Sequence, residues 1–423
     1  MGDKPVDVAI LGAGAAGLMA AIWAGRTAQA EHAPLNILLL DARPKIGAKI
    51  LMSGGTRCNV THREVKTSDF QGGPSHFVRH VLEAFTPEET FRFFKEIGVE
   101  LLLEPAGKYF PSTHSAQTVL DALTKETGRA GVTLKTGVRI TEIKKTAGLF
   151  HLKNTEGTYR VSARKVILTT GGLSYPTTGS DGTGYGIAKS FGHRLVHTFP
   201  ALTPLLTDDS DWKGLSGVSL ETKLSFFEKG KKKCECRDSF LFTHFGFSGP
   251  AALDISRHFA GAAQEENPQI LVSFLPHYDE ESFKAVFQAA QEKSPGKSIQ
   301  NLLAGEFSLP DRLVETLLKK THVNGNESIG KFSGENRKRL TRSLFNYPLE
   351  VTGVFGYAKA EVTAGGVDLK EVAVSRMESK MTDGLYFAGE ILDADGRIGG
   401  FNFQWAWSTG AVAGRSAVRS LSA

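Results

Sequence analysis

The sequence has few of the features that secreted or membrane-spanning proteins require. It has three cysteines in 423 residues, Cys58, Cys234 and Cys236, which give no disulfide framework. The apolar run 8–24 is shorter than the roughly 20 residues that span a bilayer, and no basic segment precedes it as in a signal peptide. These absences favour a soluble protein of the reducing cytoplasm that has no membrane partner.

Metal-ligand patterns are also scarce. The pairs His76/His80 and His193/His197 have i, i+4 spacing, but neither pair has a third ligand beside it, and we therefore expect no metal site. The 50 basic and 45 acidic residues leave a net charge of +5. This charge permits an anionic partner without requiring one, and the composition leaves the oligomeric state open.

Glycine is abundant, with 46 residues that often fall in short clusters. The apolar run 6–11 is typical of a buried parallel strand, and Gly12-Ala13-Gly14-Ala15-Ala16-Gly17 follows it directly. In the dinucleotide fingerprint the first glycine permits a tight turn, the second lets the backbone approach the pyrophosphate, and the third lets helix pack on strand. A helix to about residue 30 and a strand at 37–40 follow. Asp41 ends that strand, where its carboxylate can accept bonds from ribose hydroxyls.

Two later segments indicate which dinucleotide is bound. The apolar strand 385–388 ends in Gly389-Glu390, which predicts an acid on the ribityl chain of FAD. Gly399-Gly400-Phe401-Asn402 then opens a final helix, whose free N–H groups can face the flavin carbonyls. No sequence pattern for a covalent flavin link is present. The sequence therefore predicts non-covalent FAD.

The order of elements predicts an α/β fold. We expect a Rossmann-like FAD-binding domain of the glutathione-reductase type, interrupted by a β-barrel-like module and a small helical module. The expected domains are 1–194 (FAD-binding, first part), 195–275 completed by 344–362 (β-rich substrate module), 276–343 (helical insertion) and 363–423 (FAD-binding, second part). In the first part of the FAD-binding domain we expect further strands at 132–150, 151–155, 159–161 and 165–170. In the β-rich module we expect a hairpin that pairs 219–227 with 234–242.

With these residues in hand, the chain resembles the BaiN/RdsA-like family of NAD(P)/FAD-dependent oxidoreductases, which has relatives described as aminoacetone oxidase-like. The resemblance rests on the segments 53–61, 243–250, 363–367 and 377–406. It implies FAD contacts in addition to those of the fingerprint, and the complete set of expected cofactor residues is Gly12, Gly14, Ala15, Ala16, Gly17, Asp41, Ala42, Arg43, Lys49, Ser53, Asn59, Thr61, Val138, Thr170, Gly171, Gly172, Gly389, Glu390, Asp393, Gly400, Phe401, Asn402 and Phe403.

The chain departs from the family pattern at a few positions beside these motifs. Thr56 stands where the family usually has glycine, and His62 stands where it usually has asparagine. The Thr and Asp of 180–184 appear in swapped order, and Arg397-Ile398 precedes the last glycine pair where a threonine is common. None of these departures removes a cofactor residue.

A bound flavin brings its own hydride chemistry, so the protein must supply orientation and a proton donor. Disulfide reduction beside the flavin is excluded, because Cys58 has no CxxC or CxxxxC partner and Cys234 and Cys236 lie far away in the expected hairpin. Packing is the expected role of Cys58. No second fingerprint is visible, so NAD(P)H is expected to act as a transient donor. His244 is the first candidate for proton donor, because the unperturbed pKa of histidine suits acid–base catalysis at neutral pH. The alternative is a structural histidine in its own loop. Tyr109 and Arg57 are further candidates for binding a carbonyl or anionic group.

The expected reaction is reduction of an activated C=C bond by hydride from flavin N5, with a small molecule as substrate. Three alternatives stay open: a uridine in ribosomal RNA as substrate, which would make the chain a dihydrouridine synthase; oxidation of a small amine with release of hydrogen peroxide; and a non-catalytic flavin protein that binds a partner. The basic clusters 229–233 and 337–339 would favour an RNA substrate if they bind phosphates. The alternative is that they are a solvated hairpin tip and a solvated helix face.

Overall fold

The computed structural model describes residues 4–262 and 267–422. The described chain forms two compact units. Unit 1 contains the residues up to Phe199 and those from Glu361 onward, and unit 2 contains Pro200–Ala360. Each unit has its own hydrophobic core.

The helices of the described chain range from one turn to six turns. They are α1 Ala15–Ala30, α2 Ala48–Thr56, α3 Ser75–Ala84, α4 Pro87–Glu96, α5 Ala116–Arg129, α6 Thr183–Ser190, α7 Ser210–Gly214, α8 Pro250–Gly261, α9 Glu280–Lys293, α10 Ile299–Glu306, α11 Asp311–Lys320, α12 Gly334–Phe345 and α13 Phe401–Ser422.

The strands are mostly short. They are β1 Val6–Leu11, β2 Ile37–Leu40, β3 Thr61–His62, β4 Phe70–Gly72, β5 Leu101–Leu103, β6 Lys108–Pro111, β7 Thr133–Lys135, β8 Ile140–Thr146, β9 Leu149–Asn154, β10 Arg160–Leu168, β11 Leu195–Ala201, β12 Leu205–Leu206, β13 Ser219–Glu228, β14 Lys231–Thr243, β15 Gly246–Ser248, β16 Gln269–Ser273, β17 Tyr347–Leu349, β18 Gly353–Val354, β19 Val362–Val367, β20 Val372–Ala373, β21 Glu378–Ser379, β22 Leu385–Phe387 and β23 Ala394–Gly396.

Unit 1 is organised around a mixed sheet whose centre is parallel. The parallel strands run in the order β22-β10-β1-β2-β7, and β20 and β21 extend the β22 edge in antiparallel fashion. Val8 and Ile10 of β1 are fully buried, as expected for a strand covered by helices on both faces. This sheet brings the carboxyl ends of β1, β2, β10 and β22 to one edge, where ligands bind in open α/β sheets.

β10 is longer than the sequence predicted. We expected separate strands at 159–161 and 165–170, because the polar residues Ser162 and Arg164 interrupt the apolar pattern. The backbone continues through them as one strand. Its first half pairs antiparallel with β9 and its second half pairs parallel with β1 and β22, so polar side chains are tolerated where the strand leaves the covered centre of the sheet. The single strand predicted at 132–150 is likewise divided among β7, β8 and the start of β9.

The last helix, α13, packs closely along the first helix, α1. A Cβ atom on Gly410 would lie 2.6 Å from the carbonyl oxygen of Ala16, and one on Gly414 would lie 2.2 Å from that of Ala20. Real Cβ atoms do not approach so closely, so both positions require glycine at this helix spacing. Because these glycines are four residues apart, they lie on the same face of α13.

Unit 2 contains an antiparallel sheet in the order β17-β16-β13-β14-β15-β12-β18. The predicted hairpin is confirmed as β13 and β14, which pair from Ser219↔Leu241 to Glu228↔Lys231. Lys229 and Gly230 form its turn with positive φ angles of 52° and 70°, the geometry of a two-residue hairpin loop. α8 packs on β13 and β14, and α9–α12 supply the expected helical region.

The α/β class predicted from the sequence, with β-rich and helical segments inserted into a Rossmann-like unit, is confirmed. In the part of the chain that the structure describes, no helix has the length and apolar character to cross a membrane.

Candidate cofactor site

The glycine turn between β1 and α1 has the geometry of a phosphate-binding loop. Gly12 has a φ of +103°, and a Cβ there would lie 2.6 Å from the carbonyl oxygen of Thr169. A Cβ on Gly17 would lie 1.7 Å from the carbonyl oxygen of Gly12, whereas a Cβ on Gly14 would meet no described atom within 4 Å. No side chain caps the start of α1. The turn therefore offers open space and free N–H groups at a helix N-terminus, which favours a bound phosphate.

Asp41 connects this turn to the end of β2. The backbone N–H of Ala13 donates to Asp41 Oδ2 at 2.6 Å, and that of Arg43 donates to Oδ1 at 2.8 Å. The N–H of Val138 also donates to the Asp41 carbonyl at 2.9 Å. A carboxylate has about four lone-pair sites, so Asp41 can hold the turn and still accept bonds from ribose hydroxyls.

Glu390 lies at the centre of a polar cluster beyond β22. Lys49 Nζ lies 2.6 Å from Glu390 Oε2 and donates to Ser174 Oγ at 2.8 Å. The N–H of Thr363 donates to Glu390 Oε1 at 3.0 Å, and the Ser174 hydroxyl donates to the same oxygen. The ion pair is half-buried, so it is worth more than an exposed one and fixes the carboxylate. Sequence reasoning missed Ser174 and Thr363 as members of this cluster.

Three buried polar atoms of predicted cofactor residues have no hydrogen-bond partner among the described residues: Arg43 Nε, Asn59 Oδ1 and Thr170 Oγ1. A Cβ on Gly400 would lie only 2.8 Å from Asn59 Oδ1, so the start of α13 approaches this atom closely. An unsatisfied buried acceptor costs about 1–3 kcal/mol. A ligand that offers donors here would remove that cost, and the hydroxyl and N–H groups of FAD are suitable donors.

The loop before α13 is held by its own side chains. Asn402 accepts from the N–H of Gly396 at 2.8 Å and donates to its carbonyl at 2.8 Å, which leaves the backbone of Asn402, rather than its amide, for a ligand. Thr61 similarly donates its hydroxyl to Gln404 Oε1 at 2.6 Å. Phe401 is fully buried, and the ring of Phe403 stacks on that of Trp407 at 5.4 Å.

The remaining predicted cofactor residues lie in the same unit. Gly171 and Gly389 adopt positive φ angles of 72° and 80°. Arg43 donates to the carbonyl of Thr177, and the Ser53 hydroxyl donates to the carbonyl of Ile50 at 2.7 Å. Ala15, Ala16, Ala42 and Gly172 have no polar side chain, so only their backbone groups could bind a cofactor. Asp393 is buried and directly precedes β23.

Two of the three candidate catalytic residues lie in unit 1. Arg57 Nη1 pairs with Glu104 Oε1 at 2.7 Å and lies over the ring of Phe110 at 4.1 Å. Tyr109 lies opposite Thr61 in the β3–β6 pair. The Arg57–Glu104 ion pair and the pairing of Tyr109 with Thr61 are structural contacts. Arg57 and Tyr109 remain candidates for binding a carbonyl or anionic group of the substrate.

The third candidate, His244, lies in unit 2 between β14 and β15 and is exposed. Its ring touches that of Phe245 at 4.9 Å. Thr243 closes this turn instead, because its hydroxyl donates to the carbonyl of Gly246 at 3.0 Å. The imidazole is therefore not what holds its own loop.

Cys58 is buried, and burial raises the pKa of its thiol to about 12. A thiol of this kind is inert at neutral pH, which supports the packing role predicted for it. Among the described residues, no group of three or more potential ligands is placed to hold a metal ion. His193, one of the spaced histidines, instead hydrogen-bonds to Ser379 Oγ at 2.7 Å.

Comparison with known proteins gives the family. Residues 6–416 match the HI0933-like protein Rossmann domain family. The chain belongs to this family. The resemblance inferred from the motifs is thus confirmed, and this member of the family is an FAD-dependent oxidoreductase.

Relatives of known name match nearly the whole chain. The 3-dehydro-bile acid delta(4,6)-reductase of Clostridium scindens is 34% identical over 412 residues, which cover 97% of this chain and 98% of the relative. The ribosomal RNA dihydrouridine synthase of Escherichia coli is 32% identical over 406 residues, or 95% and 96% of the two chains.

A solved structure shows the same fold. The 3-ketosteroid-delta4-(5alpha)-dehydrogenase of Rhodococcus jostii superposes with a TM-score of 0.50 at 16% identity, covering 99% of this chain and 98% of the other.

Proposed function

We propose that this HI0933-like protein reduces a carbon–carbon double bond that is conjugated to a carbonyl group, with NAD(P)H as electron donor and a small molecule as substrate. The observation that carries the proposal is the end-to-end similarity to a protein named as a delta(4,6)-reductase and to one named as a dihydrouridine synthase. Formation of a dihydrouridine adds two hydrogens across a C=C bond next to a carbonyl. The two names therefore describe one type of bond chemistry on very different substrates.

The residues of unit 1 fit a bound FAD. The start of α1 would hold the pyrophosphate, Asp41 the adenosine ribose, and the Glu390–Lys49 pair the ribityl chain, while Asn59 would accept a bond that it otherwise lacks. When bound, the flavin supplies hydride transfer at N5. The protein adds no thiol chemistry here, because the cysteine of unit 1 is buried and protonated.

His244 is the residue that we propose donates the proton. It is exposed, its turn is closed by Thr243 rather than by the imidazole, and a histidine can carry a proton near neutral pH. Protonation of the carbon next to the carbonyl completes the addition of two hydrogens.

Stopped-flow mixing tests the reaction. Under anaerobic conditions, NAD(P)H should bleach the flavin absorbance rapidly, and a cyclic enone should restore it much faster than O₂ does. His244→Gln should slow the second step by about 10²-fold or more, as expected for loss of a general acid, and leave the first step unchanged. Bleaching by small amines with prompt release of peroxide would identify an amine oxidase and overturn the proposal, and a flavin that no donor reduces would indicate a non-catalytic protein.

A uridine in ribosomal RNA is the second candidate substrate, and the similarity to the E. coli dihydrouridine synthase favours it. The hairpin tip gives it limited support. Lys232 Nζ lies 3.0 Å from a carboxylate oxygen of Glu235, and Lys233 Nζ lies 3.0 Å from one of Glu228, so these lysines are partly neutralised. Ribosomal RNA from a deletion strain decides the question: loss of a dihydrouridine supports RNA, and an unchanged set excludes it.

A further inference from the structure

Both remaining cysteines of the chain lie side by side in unit 2, on β14. In the β13–β14 register Cys234 is opposite Phe226 and Cys236 is opposite Leu224. Alternate residues of a strand point to the same face, so both thiols lie on the face that carries Leu224 and Phe226. Both cysteines are partly buried, unbridged, and packed against the core of unit 2. They are thus shielded from bulky reagents but open to small ones.

A histidine completes the cluster. His258 lies on α8, which packs on this face of the hairpin, and its ring is 5.9 Å from that of Phe226. The neighbouring Cys236 thiol and His258 imidazole hold the pKa of the Cys234 thiol well below its usual range, Cys236 being the larger cause. Among the lysines of the hairpin tip, Lys233 pairs with Glu228 at 3.0 Å and Lys232 pairs with Glu235 at 3.0 Å.

We propose that Cys234 and Cys236 form a peroxide-sensitive thiol pair, in which Cys234 is the attacking thiolate, Cys236 is the resolving thiol, and His258 stabilises the thiolate. The Cys234 sulfur attacks one oxygen of hydrogen peroxide; an S–O bond forms, the O–O bond breaks, and hydroxide leaves and takes up a proton to form water. The Cys236 sulfur then attacks the Cys234 sulfur, so that an S–S bond forms, the S–O bond breaks, and a second water leaves with the Cys236 proton. The two thiols lose two electrons, which reduce the peroxide.

The strand geometry makes this disulfide reversible. Residues two apart on an antiparallel strand such as β14 have Cα atoms about 6.8 Å apart, which is at the upper limit of roughly 6.8 Å for a disulfide. The β13–β14 register also shifts between Phe226 and Phe227, next to Cys234, and a bulge lets the strand adjust. A strained bridge of this kind is easily reduced by cellular thiols. The Cys234–Cys236 pair is therefore expected to alternate between the dithiol and the disulfide form, and not to be a permanent structural disulfide.

Mass spectrometry of the FAD-loaded protein tests the proposal. After brief treatment with hydrogen peroxide, the peptide that contains both cysteines should lose the mass of two hydrogen atoms and regain it with a thiol reductant. In Cys236→Ser, the sulfenic acid on Cys234 should persist and be trapped by dimedone, whereas Cys234→Ser should trap none at Cys236. Cys58→Ser is the matched control and should behave as the parent. Equal trapping at both positions, or no oxidation before the methionines oxidise, would overturn the assignment.

Alkylation separates the role of His258 from a packing role. At pH 6 iodoacetamide should label Cys234 faster than a free cysteine peptide, by roughly tenfold for each unit that its pKa lies below about 8.5. His258→Gln should remove most of that advantage while leaving the flavin spectrum intact, and His277→Gln, in the same unit, should not. If Cys234 reacts no faster than the peptide, no thiolate is stabilised and the proposal is wrong, whatever the outcome of the enone assay.

Discussion

At the scale of single residues, Thr56 has a backbone conformation that is unusual for a residue with a Cβ atom. Its φ is +70°, and the preceding Gly54 and Gly55 also have positive φ angles. The left-handed conformation costs a residue with a Cβ about 1–2 kcal/mol. A glycine would adopt it without strain, so Thr56 is a strained residue of α2.

Thr56→Gly should therefore raise the free energy of unfolding. The relief of strain exceeds the extra backbone entropy that glycine loses on folding, about 0.5–1 kcal/mol, and a net gain of up to about 1 kcal/mol is expected from chemical denaturation of the FAD-loaded protein. Thr155→Gly, at an exposed position without a positive φ, is the control and should lower stability. A loss of stability in both variants would contradict the strain argument.

Glu390 is the residue whose charge the cofactor site depends on. In Glu390→Gln the bond to Lys49 loses its charge, and so does the bond to a ribityl hydroxyl. Hydrogen bonds to charged groups contribute about 1.5–3 kcal/mol, so the dissociation constant for FAD should rise by roughly 10- to 150-fold. Flavin fluorescence released on dilution measures this constant. Glu142→Gln on the exposed surface of β8 should change nothing, and a similar rise there would mean that general destabilisation is the cause.

The sequence indicates the glycine turn of the proposed site more readily than the contacts around Glu390. Gly12, Gly14, Gly17 and Asp41 could be assigned because the chemistry of a phosphate turn imposes a spacing that is visible in the sequence. Ser174 and Thr363 could not, since each contacts Glu390 from a different element. Nothing in a linear pattern records that the loop after β10 and the strand β19 meet at one carboxylate.

At the scale of elements, the contact between α1 and α13 determines the relative position of the two helix N-termini that we propose to face the cofactor. Gly414→Ala should force the helices apart, because its Cβ would lie 2.2 Å from the carbonyl oxygen of Ala20. Overpacking of this kind costs about 1–3 kcal/mol, and FAD retention should fall with stability in thermal denaturation.

Gly186→Ala is the matched control for this substitution. Gly186 is an exposed helical residue of α6 at which a Cβ would meet nothing within 4 Å. Alanine there should stabilise the protein by up to about 1 kcal/mol, because it is the better helix former. If Gly414→Ala were equally stabilising, the close helix approach described above would be wrong.

Element types were predictable wherever one environment extended along an element. β2 is buried throughout, and most residues of β1 and α1 are buried as well, so their sequences are mostly apolar. β10 was divided in the prediction because it lies in two environments, and its polar residues look like a break when only the sequence is seen. The close contact at Gly410 and Gly414 was missed for a related reason: small residues on a helix signal close packing only once the partner is known.

At the scale of the whole molecule, stability should depend on pH through a buried histidine. His193 has a fully buried side chain, with Nε2 2.7 Å from Ser379 Oγ and Nδ1 3.2 Å from Glu371 Oε2. Burial lowers its pKa, and Glu371 only partly opposes this. The unfolded chain then binds a proton at a higher pH than the folded chain does. The contribution of neutral His193 is present above about pH 6.5 and is lost as the pH falls through the lower folded-state pKa.

The free energy of unfolding should accordingly decrease between pH 7 and pH 5, with a slope from this group of at most about 1.4 kcal/mol per pH unit. His193→Gln should flatten the curve relative to the parent, and His76→Gln, at an exposed position, should leave it unchanged. Urea denaturation at several pH values measures the difference. Parallel curves for the parent and His193→Gln would show that another group is responsible.

The division of unit 1 between the two ends of the chain has a consequence for biosynthesis. β22 pairs with β10 and α13 packs on α1, so residues synthesised last complete the structure begun by those synthesised first. When residues 1–384 have been synthesised, the glycine turn and Pro200–Ala360 exist, but the strand β22, Glu390 and helix α13 do not. Until β22 is made, the edge of β10 that it covers is open to pairing with another strand.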